Sequence, residues 1–288
     1  LFWIMGHPEV YVILIPAVAA LMEFAPVFTR RPIYSFVGAV MGMAGIAGLS
    51  VLVWAHHMYI SGWAPLLNGP FMLTTELISI PTGMLFLVIL GTIWRSHVWM
   101  TVPMAGVYAL LWNFIIGGVT GIYLSDVPAD ASLHGSMFVT AHFHYTLMGA
   151  GLTGATAALV YWFPKMTGRM FDSRLGWLGF WFVQIGFNVA FMSMFFVGLA
   201  GQPRRVEAYA DMFSRGNLIT TIGAYVIMVG MLFYLAGVIY SWQNGKLAGI
   251  NPWQAKSLEW TVPYPIPLEN FDQLPTVTSD VYGYGKAN

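Results

Sequence analysis

Apolar residues run along this chain in blocks too long for a water-facing helix and too continuous for alternating strands. The hydrocarbon core of a bilayer, ~30 Å thick, is spanned by about 20 apolar residues in a helix. Seven blocks meet that length, at roughly 3–24, 35–59, 70–94, 98–124, 134–162, 175–200 and 217–243. Proline, glycine and charge interrupt them, as in Thr29-Arg30-Arg31-Pro32, Asn68-Gly69-Pro70 and Lys165-Met166-Thr167-Gly168-Arg169. After Trp242 the pattern gives way to a proline-rich, charged stretch ending at Asn288. The expectation is an all-α, polytopic transmembrane bundle of seven helices over 1–243, followed by a largely irregular extramembrane tail over 244–288.

Composition sharpens this picture. Hydrophobic residues make up 58% of the 288 and charged residues 8%, against about 25% charged in soluble domains. Most of the surface must therefore face lipid. The net charge of zero gives no reason to expect a nucleic-acid partner, and the absence of cysteine excludes disulfides and thiolate metal sites. Basic residues fall mainly on one set of loops: Arg30 and Arg31, Arg95, Lys165 with Arg169 and Arg174, then Lys246. By the positive-inside tendency that side, with the tail, is cytoplasmic. Arg204, Arg205 and Arg215 break the pattern on the outer side and call for an anionic partner there. Seven helices with an inner C-terminus start outside, and the first residues are already apolar, so further helices are expected upstream.

Five of the seven histidines lie in apolar segments: His7, His56, His57, His142 and His144. A lone membrane histidine usually hydrogen-bonds a neighbouring helix, but five on three helices point to function, since polar groups in a bilayer are costly. In an α-helix successive side chains are ~100° apart, so His56 and His57 can lean toward one ion, whereas His142 and His144, ~200° apart, face two different sites. Imidazole is a common axial ligand of heme iron. His7 and Tyr11 are spaced i, i+4 and share a face, with Pro8 kinking the helix beside them and Glu9 between them.

With these motifs the chain resembles subunit I of the heme–copper oxidases, most closely the cytochrome c oxidase type, over what would be the last seven of twelve helices. The resemblance implies that His7, His56 and His57 ligate copper and that Tyr11, joined covalently to His7, supplies a proton and an electron. It makes His142 the proximal ligand of a high-spin heme and His144 an axial ligand of a low-spin heme. It assigns Glu9 to a buried carboxylate that ends a proton path, and Arg204, Arg205 and Asp130 to the heme propionates. His134 falls in the propionate region, which in the family also holds Mg²⁺. Gly135 stands where a ligating aspartate is common, which argues against that ion. The implied cofactors are two hemes and one copper. The implied partners are subunit II with a dinuclear copper, subunit III, the upstream helices of subunit I, cytochrome c and the lipid membrane. A prokaryotic cell membrane is favoured over the mitochondrial inner membrane.

One position departs from the family: Leu85 stands where a lysine usually marks a second proton path. Thr75, Ser79 and Thr82 still form a polar stripe, and Glu76 beside them either takes over proton entry or hydrogen-bonds a neighbouring helix. The expected function is reduction of O₂ to water with electrons from cytochrome c, coupled to proton translocation. A quinol oxidase could use the same core. A nitric oxide reductase is disfavoured by Glu9 and Tyr11. A histidine-containing transporter would leave the opposed His142/His144 pair and the outer arginines unexplained.

Overall fold

The computed structural model describes residues 2–271, 273–276 and 283–284. Eleven α-helices follow one another: α1 (Phe2–Gly6), α2 (Pro8–Thr29), α3 (Phe36–Ser50), α4 (Asn68–Leu77), α5 (Ser79–Ile93), α6 (Val102–Ser125), α7 (Val127–Leu133), α8 (Met137–Phe143), α9 (Gly149–Thr167), α10 (Ser173–Leu199) and α11 (Ser214–Asn244). Among the described residues six segments are long and apolar enough to cross a membrane: Phe2–Thr29, Pro65–Ile93, Val102–Ser125, Met137–Thr167, Ser173–Leu199 and Asp211–Asn244. No strand occurs among the described residues.

The breaks within these segments follow from the residues. Pro8 has no N–H to give and opens α2 at a first-turn position, so the chain breaks at His7 between α1 and α2. Pro81 crowds the carbonyl four residues back, and α4 accordingly ends at Leu77. The segment expected to span 35–59 is shorter than predicted. Only its first 15 residues are α-helical, as α3, and residues 54–58 form a tight 3₁₀ turn carrying His56 and His57. The Leu52 N–H bond to Leu49 O, 2.8 Å, tightens the end of α3. The Met137–Thr167 span is also irregular, since a π turn over His144–Met148 separates α8 from α9.

Helices α2, α3, α5, α6 and α9 share one core, to which the tail contributes Trp253, Ala255, Trp260 and Tyr284. Helix α11 leans on α10, where a Cβ at Gly223 would collide with the Ala190 backbone. That is the close approach small residues permit between membrane helices. The described part of the tail is irregular apart from a 3₁₀ turn at Leu258–Thr261, yet it packs onto the bundle. Trp260 is 1% exposed and donates its indole N–H to the Tyr161 hydroxyl at 2.9 Å, and the Trp253 indole donates to Tyr161 O at 2.8 Å.

Candidate metal centre

The break at His7 and the 3₁₀ turn bring three imidazoles together. One ring nitrogen each from His7, His56 and His57 lies within 4.8 Å of the other two, and His7 is buried. His57 Nε2 is 3.1 Å from both His7 Nδ1 and His56 Nε2. A neutral ring nitrogen has either one proton or one in-plane lone pair, so it cannot make two such hydrogen bonds with good geometry. Two nitrogens each ~2 Å from a shared ion and ~100° apart would stand ~3.1 Å from each other. The spacing therefore fits a common metal, and an all-imidazole donor set suits a copper ion.

The outward nitrogens are held. His7 Nε2 meets the Tyr11 hydroxyl at 3.1 Å. His56 Nδ1 is 3.1 Å from Thr75 Oγ1, which already donates to Phe71 O at 2.6 Å. The hydroxyl must then accept, which places the His56 proton on Nδ1 and leaves the lone pair of Nε2 facing His57. Hydrogen bonds of this kind fix ring orientation at metal sites. Trp3 stacks on the His57 ring, centroids 3.9 Å apart. Neither contact was anticipated, although Trp3 lies four residues before His7 and that spacing could have flagged it.

His142 and His144 approach different helices. The Nδ1–H of His142 donates to Gly117 O of α6 at 3.0 Å, with Thr120 Oγ1 at 3.2 Å. A Cβ at Gly121 would stand 2.8 Å from the His142 ring, so only glycine admits it there. His144 donates from Nδ1 to Thr140 O at 2.7 Å and stacks on Phe191 of α10, centroids 4.2 Å apart. In both rings Nε2 keeps its lone pair, the state in which imidazole ligates iron. His142 lies in the last turn of α8 and His144 opens a π turn, a feature frequent at functional sites, and the two rings face α6 and α10 respectively.

At the end of the bundle nearest His134, Asp130 is buried and accepts from His134 Nδ1 at 2.9 Å. An antiparallel bridge between Ser136 and Pro203, with the Arg204 N–H on Gly135 O at 2.8 Å, pins the arginine pair to this loop. Arg205 holds a left-handed backbone, φ 64°. Burial and then the like charge of Arg205 lower the pKa of the Arg204 guanidinium, while Asp130 raises it. Among the described residues neither guanidinium is hydrogen-bonded within the chain, leaving two planar forks suited to carboxylates.

Other expected residues behave differently. Glu9, expected as a buried carboxylate, is exposed, because no described helix of this chain covers its face of α2. Glu76 is exposed as well. Thr75 donates to Phe71 O within α4, and Ser79 and Thr82 of α5 donate to Glu76 O and Ile78 O around the α4–α5 junction, so the three hydroxyls form no chain with one another.

Residues 1–226 match the family model described as cytochrome c and quinol oxidase polypeptide I. Cytochrome c oxidase subunit 1 of Thermostichus vulcanus is 39% identical over 285 residues, 99% of this chain and 52% of that protein. The subunit 1 of Corynebacterium efficiens is 41% identical over 284 residues, 97% and 49%, and that of Bacillus subtilis 39% over 280 residues, 96% and 45%. The chain thus spans about half the length of these relatives. A cryo-EM structure of a heme-copper terminal oxidase dimer superposes with a TM-score of 0.79 at 22% identity, over 86% of this chain and 49% of that one.

Proposed function

This chain belongs to the cytochrome c and quinol oxidase polypeptide I family, and from that premise we propose that it is the metal-bearing, C-terminal part of subunit I of a terminal oxidase that reduces O₂ to water in a prokaryotic cell membrane. The observation that carries the reading is the meeting of His7, His56 and His57 at one point, with Tyr11 3.1 Å from His7. His7, His56 and His57 would hold copper, His142 a high-spin heme and His144 a low-spin heme. Bound there, copper and heme supply the electrons and the open coordination positions on which O₂ is reduced.

The chain's own residues do the rest. Thr75 and Tyr11 orient the copper-facing imidazoles, and Gly117 and Thr140 keep Nε2 of the two heme-facing rings unprotonated. Tyr11 carries a proton and an electron within reach of the copper ligands. Glu9 hands on protons from the α2 face, and reduction of O₂ to water consumes a proton for every electron. Arg204, Arg205 and Asp130, with His134, bind and balance the propionates, and Gly135 leaves no side-chain ligand for Mg²⁺. The basic loops and the tail face the cytoplasm. Cytochrome c, through a subunit II with a dinuclear copper, is the proposed donor, alongside a subunit III and the upstream helices of subunit I, and the reaction is coupled to proton translocation.

The test is the absorption spectrum, metal content and O₂ uptake of the membrane-purified complex. Heme Soret absorbance, copper and reduced-cytochrome-c-driven O₂ uptake are expected. A complex without heme would end the proposal, and uptake supported by quinol alone would replace the donor.

A further inference from the structure

A row of polar side chains crosses the apolar interior of the bundle and ends beside His144. It begins at Thr153 of α9, whose hydroxyl oxygen accepts from Gln184 of α10 at 3.2 Å. Gln184 accepts from Asn113 of α6 at 3.0 Å, and Asn188, one turn further along α10, donates to Asn113 Oδ1 at 3.5 Å. Asn188 then accepts from the Tyr145 hydroxyl, 3.0 Å away, in the π turn that His144 opens. Asn113 and Tyr145 are fully buried.

Packing alone does not require such a row. Interhelical hydrogen bonds in membranes contribute little on average, and α10 meets α11 through glycines instead, where a Cβ at Gly186 would stand 2.7 Å from Gly223 O. What the amides add is direction. Asn188 Oδ1 accepts from Tyr145 and from the Trp112 indole N–H, the latter at 3.2 Å, while Nδ2 donates to Gln184 O at 2.9 Å. Turning the amide over would set N–H against N–H at Trp112 and oxygen against oxygen at Gln184, so one orientation is enforced. The Tyr145 hydroxyl must then donate, and to a fixed point.

The same face of α10 holds His144. Gln184, Asn188, Phe191 and Phe195 recur at i, i+4, i+7 and i+11. Phe191 stacks on the His144 ring, centroids 4.2 Å apart, and Phe187 and Phe195 flank the Tyr145 ring at 5.0 and 5.5 Å. A stack permits sliding in its plane, whereas a hydrogen bond weakens steeply with angle. The backbone is in an uncommon form here, with the Gly149 N–H reaching back five residues to His144 O. Helix α6 closes the other side, since a Cβ at Gly117 would stand 3.0 Å from Thr146 N. With Tyr145 pinned, His144 cannot roll with the turn.

We propose that Asn188, oriented by Asn113 and Gln184, is a positioning residue that acts through Tyr145 to fix the π turn and with it the plane of the His144 ring. This rests on the oxidase reading, in which His144 ligates the low-spin heme, since axial ligands and outer hydrogen bonds tune heme iron. His142 is held from α6 by Gly117 and Thr120, so the high-spin heme is an internal standard.

The test compares Tyr145→Phe and Asn188→Leu in the assembled, membrane-purified complex with Ser193→Ala, which removes a buried hydroxyl on the α11 side of α10. Tyr145→Phe strands no donor, because Asn188 keeps Trp112, and it serves alone if Asn188→Leu does not fold. Electron paramagnetic resonance of the oxidised complex reads the low-spin heme, and CO binding to the reduced complex reads the high-spin one. The network variants should shift the low-spin g-values and move the reduction equilibrium of that heme about tenfold, the lower scale of a lost outer partner. The CO difference spectrum should not change, and Ser193→Ala should move neither signal. An unmoved low-spin heme, or equal disturbance of both hemes, would overturn the proposal. Hydrogen–deuterium exchange adds an arm that needs no heme. Backbone amides over 144–149 should exchange about fivefold faster in Tyr145→Phe, the scale of one lost hydrogen bond, and at the unaltered rate in Ser193→Ala. Exchange unchanged in Tyr145→Phe overturns the proposal too. A preparation without heme defeats the oxidase reading, and the exchange arm then still decides whether Asn188 holds the turn.

Discussion

The two ends of the bundle treat positive charge in opposite ways. At the tail end Arg30 donates to Trp253 O and Gln254 O, Arg31 to Trp94 O, Lys165 to Val262 O, Arg169 to Gly245 O and Lys256 to Gly283 O. These five cations are spent on backbone carbonyls, and the product is a fixed closure over Tyr161 and the ends of α2 and α9. At the other end Arg204 and Arg205 are placed by their backbone alone, beside a carboxylate already engaged by His134. Their side chains remain available. Cations satisfied by carbonyls build structure, whereas cations left unsatisfied in a partly buried loop imply a ligand with its own negative charge.

Substitutions at the two ends should separate these roles, and the largest effect belongs to the histidines. His57 supplies the nitrogen shared by both other rings, so His57→Ala should lower copper affinity by more than about a hundredfold, beyond the cost of losing an outer hydrogen bond. Metal analysis should find copper lost and heme absorbance kept. Full copper occupancy would sink the three-ligand geometry. At the tail end Trp260→Ala removes a fully buried indole and should cost ~3–5 kcal/mol. It should lower the thermal midpoint and expose the tail to protease while the heme spectrum of the folded fraction stays unchanged. An altered spectrum would mean that the ends are coupled.

Smaller effects sharpen the contrast. Thr75→Val keeps the side-chain shape but removes the acceptor for His56, and chelator competition should show copper held ~10–100-fold more weakly. No change would show that His56 needs no outer partner. Tyr284→Phe deletes the acceptor for the Lys256 N–H, 2.9 Å away, and should loosen the tail by ~1 kcal/mol, read as a modest gain in protease sensitivity. Burial pushes the Tyr284 hydroxyl up to about 12. The folded state therefore disfavours its ionised form, and tail docking should weaken as pH rises from ~10 toward that value, but not in Tyr284→Phe. A wild-type tail insensitive to that rise would argue against the buried hydroxyl.

Much of this was legible in the residues, and the rest failed for identifiable reasons. Hydropathy located the membrane segments because lipid leaves few alternatives to a continuous helix. The histidines stood out because polar groups are rare there. Periodicity could not show that α3 stops at Ser50 or that His56 and His57 sit on a 3₁₀ turn, since those outcomes depend on packing against α4 and α5. Glu9 was expected to be buried, but burial depends on what covers a face, and in this chain nothing described covers it. Thr75 read as one member of a polar stripe. Only the fold, by bringing His56 to it across 19 residues, shows it holding a metal-facing ring.

The π turn at His144–Met148 carries one further consequence. A π turn holds more residues per revolution than an α turn, so it offsets the rotational phase of α9 from that of α8. His142 and His144 can then be aimed at their own neighbours while Tyr161, on the same span, still meets Trp253 and Trp260. Trimming one residue there would let the span relax to regular α geometry and leave α9 nearly in phase, because about one extra residue is what a π turn absorbs. The extra residue thus widens the turn at His144 without disturbing the helix beyond it.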